Sequence, residues 1–224
     1  MSEITLGIIG GGQLGSLLAI AAKKLNIKTI ILCDDIDSPA QNFCNKFINV
    51  NYNDKEKINE FVNQVDIVTY EFENIPYETL SEINKLKPVL PKPSVNRLIQ
   101  HRLAEKDFIN KLNIRTTRYV SIEKKSDIES LEDFLPGILK TTTLGYDGKG
   151  QHPIESIKEF DKLDIDFSKE YILEKLVKLK KEISIIITRF NNHKYEVYEP
   201  IENKHEDQIL KFSKIPADID KKIF

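Results

Sequence analysis

The sequence predicts an α/β fold in which a doubly wound parallel sheet is followed by α+β lobes that are richer in strands. Short apolar runs alternate with helical spacings through about residue 90. Prolines at positions 88, 91 and 93 then interrupt this pattern, because proline cannot continue a helix and marks a boundary. After Asn113 candidate strands dominate. The domains predicted from these observations are residues 1–93, 94–175 and 176–224.

The amino-terminal elements form a βαβ unit. Residues 4–9 are a short apolar run with β-branched side chains, which is typical of a buried strand. Residues 16–25 have apolar side chains at helical spacing, and residues 29–32 form the next apolar run. This order favours a parallel sheet. The same reasoning predicts strands at 47–50, 67–70, 119–122, 137–140, 171–174, 182–189 and 194–198, and helices at 55–64, 77–86 and 97–112.

The composition excludes several classes of function. The net charge is −2, with 33 basic and 35 acidic residues, which gives no argument for binding nucleic acid or an anionic membrane. Cys33 and Cys44 have no metal-binding or disulfide-scaffold spacing and fit a reducing cytoplasm. The four histidines show no zinc-ligand spacing. The first residues lack the basic leader of a signal peptide, and no apolar run approaches the ~20 residues of a membrane span.

A glycine loop follows the first predicted strand. Gly10, Gly12 and Gly15 have the spacing of a dinucleotide-binding turn, whose helix amino terminus attracts phosphate. Asp34 and Asp35 end the second strand, near the position of a ribose-binding acid. Three interpretations stay open at this point: NAD or FAD binding, contact with another phosphate or substrate, and close packing of helix on strand.

Two carboxylates follow the strand at 67–70. We expect Glu71 and Glu73 to share one side of an extended chain, at the strand ends that face the ligand crevice in open α/β sheets. They could contact a polar substrate across from the glycine loop. Alternatively, both are solvated and Asn74 caps the next helix.

A second glycine-rich segment, residues 145–151, reads Gly-Tyr-Asp-Gly-Lys-Gly-Gln. Three glycines within six residues suit a hairpin tip whose amides can close over an anion, and Lys140 and Lys149 supply positive charge. The alternative is a charged surface turn. Further along, residues 172–177 and 180–185 have two interpretations. They could form a hinge whose backbone amide and carbonyl bind the edge of an adenine ring, or a hairpin with surface charge. His205 alone would be a surface or structural histidine.

These segments together resemble the carboxyaminoimidazole ribonucleotide synthetase family of the ATP-grasp superfamily. The fold class that this implies is a pre-ATP-grasp domain followed by ATP-grasp lobes. The implied activity is ATP-dependent carboxylation of aminoimidazole ribonucleotide by bicarbonate through carboxyphosphate, in purine biosynthesis. The residues that carry the resemblance are 9–15, 69–76, 139–140, 144–151, 182–184 and 202–205.

The resemblance also implies roles for single residues. Those expected to bind ATP are Arg102, Lys140, Gly145, Tyr146, Asp147, Gly148, Lys149, Gly150, Gln151, Glu174, Lys175, Leu176, Val177, Glu182 and His205. Tyr146, Asp147 and Lys149 would border the reactive intermediate, and Gln13, Leu14 and Glu73 would contact the imidazole ribonucleotide. Such enzymes are commonly homodimers in the cytoplasm.

The resemblance also implies that the last lobe is incomplete. Family members continue past Phe224, and their continuation holds Mg²⁺, so we expect no metal ligands here, uncovered apolar strand faces and impaired activity. A non-catalytic ATP-binding fragment, another ATP-grasp carboxylase or ligase, and an NAD-dependent oxidoreductase are the alternatives.

Overall fold

The computed structural model describes residues 4–145, 150–160, 162–190, 194–206, 209–220 and 222. The chain divides into two compact units, Met1–Arg115 and Thr116–Phe224. The α/β class expected from the sequence is confirmed, with a parallel sheet in the first unit and antiparallel sheets in the second. The finer division at residues 93 and 175 stays a prediction.

The first unit is built on a four-stranded parallel sheet in the order β3-β2-β1-β4. The predicted βαβ pattern is confirmed because each apolar run lies in this sheet and each amphipathic segment forms a helix. The strands are β1 (Thr5–Ile9), β2 (Lys28–Cys33), β3 (Lys46–Asn49) and β4 (Ile67–Tyr70), and the helices are α1 (Gln13–Lys24), α2 (Lys55–Val62) and α3 (Tyr77–Leu86). A short 3₁₀ helix covers Pro39–Asn42.

Apolar side chains on β1, β4, α2 and α3 form the main core of this unit. Phe61 of α2 is fully buried, and its ring lies against Gly7 of β1, where an added Cβ would come within 2.6 Å of the ring. Val68 of β4 and Leu80 of α3 are also fully buried in this cluster. Strand β1 leads directly into the glycine loop, so this core fixes where that loop begins.

The expectation of one helix over residues 97–112 was wrong. Two helices form instead, α4 (Pro93–Ile99) and α5 (Arg102–Lys111). His101 between them has extended backbone angles, φ −123° and ψ 106°, and its Nδ1 accepts a hydrogen bond from the amide of Ala104 at 3.4 Å. A side chain that caps the second helix therefore interrupts an apolar spacing that would otherwise suit a single helix.

The second unit contains a four-stranded antiparallel sheet in the order β5-β8-β6-β7. Its strands are β5 (Tyr119–Ile122), β6 (Gly137–Thr141), β7 (Gln151–Ile154) and β8 (Tyr171–Lys175). Strand β7 was missed by the sequence analysis. It contains Pro153, which is tolerated there because β7 is an edge strand. The helical segments here are 3₁₀ turns at Lys125–Ser130 and Glu132–Phe134 and helix α6 (Ile157–Phe160).

The remaining strands of this unit form two small antiparallel sheets. These strands are β9 (Glu182–Ser184), β10 (Ile187–Arg189), β11 (Tyr195–Val197), β12 (Ile201–Glu206) and β13 (Ile209–Lys214). The predicted single strand over 182–189 was wrong, because β9 pairs with β12 whereas β10 pairs with β11. Strands β12 and β13 were missed, since the mainly polar run of β12 lacks an apolar alternation.

Large apolar side chains are exposed along this last part of the chain, as the sequence led us to expect. The exposed residues are Ile185, Ile186, Ile187, Phe190, Tyr195, Val197, Tyr198, Ile209, Leu210, Phe212 and Ile215. Among the helices that the structure describes, none combines the length and the apolar character that a bilayer crossing requires.

Candidate functional site

The glycine loop of the first unit encloses the carboxylate of Glu71. Oε1 of Glu71 accepts a hydrogen bond from the amide of Gly12, the N-cap of α1, at 2.9 Å. Gly10 has φ +104°, and a Cβ at Gly10 would lie 2.6 Å from Glu71 Oε1. A Cβ at Gly15 would lie 2.8 Å from the carbonyl oxygen of Gly10. Because the three glycines lack side chains, the carboxylate of Glu71 and helix α1 can both approach the loop closely. This favours the packing interpretation of the motif.

Contacts from the second strand and from the 3₁₀ segment after it also hold the loop in place. The amide of Gly10 donates to the carbonyl of Leu32 at 2.9 Å, and the amide of Ala40 donates to the carbonyl of Gly11 at 3.1 Å. A Cβ at Gly11 would lie 2.8 Å from the side chain of Ser38. Gln13 and Leu14, which were predicted to bind substrate, are the first residues of α1, and both are exposed.

The segment after β4 is a turn and not extended chain, so the expectation that Glu71 and Glu73 share one strand side was wrong. The strand ends at Tyr70, and Glu73 and Asn74 lie in a turn. Asn74 does not cap α3 either, because the N-cap is Pro76 and no side chain caps it. Glu71 therefore faces the glycine loop, whereas Glu73 is half-buried one turn later.

Helix α4 holds this turn through two amide side chains that the sequence analysis missed. Gln100 Nε2 donates to the carbonyls of Glu73 and Ile75, both at 2.7 Å. Asn96, which is fully buried, donates from Nδ2 to the carbonyl of Ile75 at 3.0 Å. Both residues lie more than 20 positions after the turn in the sequence, so no local sequence pattern indicates these contacts. Arg102, predicted to bind ATP, is the first residue of α5.

In the second unit, Lys140 of β6 and Glu174 of β8 form a largely buried ion pair. Lys140 Nζ lies 2.9 Å from Glu174 Oε2, and the side chains are 17% and 11% exposed. Lys140 is also the cross-strand neighbour of Gln151 on β7. The structure therefore brings together three residues that were predicted to bind ATP, on three neighbouring strands of one sheet.

The glycine-rich segment connects β6 to β7, as expected for a hairpin tip. The amide of Thr141 donates to the carbonyl of Gly150 at 3.0 Å, which closes the base of the hairpin. Gly150 has φ +69°, a conformation that other residues rarely adopt. The predictions for Tyr146, Asp147, Gly148 and Lys149 lie outside the described residues. Gly145, at the other end, is half-buried.

Beyond β8, the predicted hinge already uses part of its backbone. The amide of Lys175 donates to the carbonyl of Arg118 at 2.9 Å, and the carbonyl of Lys175 accepts from the hydroxyl of Thr117 at 2.7 Å. The amide of Leu176 donates to the carbonyl of Pro136 at 2.9 Å. By contrast, the amide of Val177 has no hydrogen-bond acceptor among the residues described, and the Val177 side chain is 51% exposed. Val177 is thus the hinge residue best placed to offer a donor to a ligand.

Glu182 and His205 lie together on the sheet formed by β9, β12 and β13. Glu182 Oε2 is 3.0 Å from His205 Nδ1. Beside them, Asn203 Nδ2 donates to Ser184 Oγ at 2.9 Å, and Ser213 Oγ donates to Asn203 Oδ1 at 2.7 Å. The two residues predicted separately to bind nucleotide therefore form one polar cluster, supported by side chains that the sequence analysis did not assign.

A second charged cluster ties the segment after β13 to the same sheet. Lys181 Nζ lies 3.2 Å from Glu202 Oε2 and contacts the backbone carbonyl of Asp218. The hydrogen bond from Lys181 lowers the pKa of the Glu202 carboxyl, and the same bond raises the pKa of Lys181. Because Glu202 favours its charged form when folded, its contribution to stability is lost as the pH falls through this lowered pKa.

No metal centre is evident in the parts of the chain that the structure describes. Within those residues no three His, Cys, Asp or Glu side chains are grouped so that they could hold an ion. Cys33 is buried and Cys44 half-buried, and both thiols are free.

Comparison with known families assigns both parts of the chain. Residues 3–100 match the ribonucleotide synthetase preATP-grasp domain, and residues 107–224 match the ATP-grasp domain. The latter match covers more than half of the chain.

Individual relatives agree with these matches. The chain is similar to the N5-carboxyaminoimidazole ribonucleotide synthase of Staphylococcus aureus strain COL, with 34% identity over 97% of this chain and 59% of the relative. It is also similar to a bifunctional purine synthesis protein, purC/E, of Dictyostelium discoideum, with 36% identity over 96% of this chain and 22% of that protein. The crystal structure of a Staphylococcus aureus N5-carboxyaminoimidazole synthetase complexed with ADP superposes with a TM-score of 0.91, at 34% identity, over 98% of this chain and 60% of that one. The chain thus spans about 59% of the length of the synthase that it matches.

Proposed function

The chain belongs to the ATP-grasp family, and from this we propose that it takes part in the ATP-dependent carboxylation of 5-aminoimidazole ribonucleotide. The products would be N5-carboxyaminoimidazole ribonucleotide, ADP and phosphate, with bicarbonate as the carbon source and carboxyphosphate as the intermediate. The single observation that carries this proposal is the buried contact between Lys140 and Glu174, which places an ammonium group beside the base of the glycine-rich hairpin. The similarity to N5-carboxyaminoimidazole ribonucleotide synthases supports the choice of substrate.

Lys140 would bind the phosphates of ATP in this proposal. An ammonium group on a strand supplies a point charge with three donors, which suits phosphate oxygens. Gly145 and Gly150 border the hairpin tip that would close over the same phosphates and exclude water from a reactive intermediate. Tyr146, Asp147 and Lys149 on that tip remain the proposed catalytic residues, on the strength of the motif alone.

The hinge and the polar cluster would hold the nucleoside. The amide of Val177, which has no acceptor among the described residues, can donate to an adenine ring nitrogen. Leu176 beside it is 47% exposed and can contact the base. Glu182 would accept hydrogen bonds from ribose hydroxyls while His205, 3.0 Å away, orients its carboxylate. We propose that Gln13, Leu14 and Glu73 contact the imidazole ribonucleotide from the first unit, and Arg102 the ATP phosphates.

Mg²⁺ is proposed as the counter-ion of the bound ATP, because phosphoryl transfer depends on neutralising the triphosphate. The described residues do not fit such a site, since they contain no group of three suitable ligands. No role in holding the metal is therefore assigned to them.

A cytoplasmic homodimer is proposed as the assembly. Helix α1 has apolar side chains on its outer side as well, since Leu14, Leu17 and the C-cap residue Leu25 are each more than half exposed. A helix that is apolar on most sides is usually covered by another surface. The free buried thiol of Cys33 is compatible with a reducing compartment. Sedimentation equilibrium at micromolar concentration tests the dimer, which a monomeric mass would contradict, and microscopy of a tagged chain tests the location.

Turnover is the direct test of the proposed reaction. Because impaired activity is expected, phosphate release from ATP should be slow, but it should still require both aminoimidazole ribonucleotide and bicarbonate, and leaving out either one should reduce the rate to background. If ATP binds but neither compound changes phosphate release, the chain is a non-catalytic nucleotide-binding module. If a different acceptor is required, it is another ATP-grasp carboxylase or ligase.

A proline substitution at Val177 tests the adenine contact. Val177→Pro removes the one hinge amide that has no acceptor among the described residues, so we expect ADP affinity to fall about tenfold, which corresponds to about 1.4 kcal/mol. Calorimetric titration with ADP measures this loss. Leu179→Pro is the matched control, because Leu179 is in the same exposed segment, 65% exposed, and its amide also makes no bond within the described residues. Equal affinity losses in the two variants would contradict the assignment.

A further inference from the structure

The carboxylate of Glu71 occupies the place in the glycine loop where a phosphate would bind in a dinucleotide site. In such a site the glycine turn and the helix amino terminus present backbone amides and a positive end of the helix dipole to a diphosphate. Here the amide of Gly12, at the start of α1, already donates to Glu71 Oε1 at 2.9 Å. Glu71 is half-buried and directly follows β4, which lies next to β1 in the sheet.

From this contact we propose that Glu71 is a specificity-determining residue, which keeps the diphosphate of a dinucleotide out of the glycine loop and fixes the loop in position. This inference does not rest on the reaction proposed above. It explains why a chain with the Gly10, Gly12 and Gly15 spacing need not bind NAD or FAD there.

Geometry and charge both support the exclusion. Glu71 fills the loop closely, because Cβ atoms at Gly10 and Gly12 would lie 2.6 Å and 3.3 Å from its Oε1. A diphosphate would have to displace this side chain and would otherwise face a like charge within a few Å. The helix terminus is also electrostatically satisfied, since a carboxylate already lies at its positive end.

The loop has little freedom to rearrange around a different ligand. The amides of Gly10 and Gly12 both donate inside the protein, to Leu32 and to Glu71. The carbonyl of Gly12 accepts from Ser16 Oγ at 3.0 Å, and the carbonyl of Gly11 accepts from the amide of Ala40 at 3.1 Å. Since Gln13 follows Gly12 directly, this bracing also sets where α1 presents Gln13 and Leu14.

Inorganic pyrophosphate is the probe that tests the exclusion, with the amide resonances of Gly10, Gly11 and Gly12 in a ¹⁵N-labelled chain as the readout. In the unmodified chain we expect these resonances to stay unmoved at millimolar pyrophosphate. Glu71→Ala, which removes both the volume and the charge, should bind pyrophosphate at least tenfold more tightly and shift these amides. Glu71→Gln, which keeps an oxygen acceptor for Gly12 but loses the charge, should give a smaller gain at the same amides.

Two outcomes would overturn the proposal. Pyrophosphate could shift the glycine amides of the unmodified chain, or both variants could remain as insensitive as that chain. If Glu71→Ala does not fold, Glu71→Gln decides alone. Glu56→Gln is the matched control, because Glu56 is in the first turn of α2 and exposed, and it should leave the response of Gly10–Gly12 unchanged.

Discussion

Replacing Lys140 by methionine is expected to weaken ATP binding by about 10- to 100-fold, the range of a lost charge-assisted hydrogen bond of about 1.5–3 kcal/mol. The substitution should also lower the free energy of unfolding by about 3 kcal/mol, because it removes the cation that lies 2.9 Å from a buried carboxylate. Glu174 is only 8% exposed, so water does not replace the ammonium group. Calorimetric titration with ATP and urea unfolding measure the two effects.

A second substitution separates nucleotide binding from stability. In the double variant Lys140→Met with Glu174→Gln, the buried negative charge is gone as well, so much of the lost stability should return while ATP affinity stays low. Lys169→Met is the control, since the pair of Lys169 and Asp166, 3.6 Å apart, is more than half exposed and its loss should leave the urea midpoint unchanged. If Lys140→Met binds ATP as tightly as the parent chain, Lys140 does not contact the phosphates.

Truncating Phe61 to alanine is expected to destabilise the first unit by about 3–5 kcal/mol. The ring is fully buried between α2 and β1, and its edge lies where a side chain at Gly7 would otherwise be. Removing it leaves a cavity beneath the strand that leads into the glycine loop. The neighbours Val65 and Val68 are themselves buried and can fill it only in part.

Urea unfolding followed by circular dichroism measures the effect of Phe61→Ala. Leu86→Ala is the matched control, because Leu86 ends α3 with 61% exposure and its truncation should change the free energy of unfolding by about 0.5 kcal/mol or less. If the two substitutions cost the same, Phe61 is not a core residue of this unit.

The sequence predicted most of the first unit because its signals are local. The apolar runs at β1, β2 and β4 lie between amphipathic helices, so strand and helix alternate with clear periods. The break at His101 could not be found this way, because it depends on a side-chain cap within an apolar spacing that suits one helix. Strand β12 was missed for the opposite reason, since its polar side chains are oriented by pairing with β9 and β13 and not by burial.

The residues of the candidate site were proposed from the sequence, but their contacts were not. Lys140, Glu174, Glu182 and His205 were each proposed to bind ATP from the family resemblance, yet nothing in the sequence paired Lys140 with Glu174 across 34 positions. Glu71 and Glu73 appeared equivalent in the sequence, and only the turn after Tyr70 distinguishes the one that enters the glycine loop. Contacts of this kind depend on which strands become neighbours, and that is a property of the whole sheet.

Gln100 performs two tasks at the junction between α4 and α5. Its backbone amide donates to the carbonyl of Asn96 at 3.0 Å and completes the last turn of α4, while its side chain fastens the turn at Glu73 and Ile75. If α4 and α5 formed one continuous helix, the side chain of Gln100 would move away from these two carbonyls, which lie 25 and 27 positions earlier in the chain. The break between α4 and α5 therefore places Gln100 where it can hold the turn that contains Glu73.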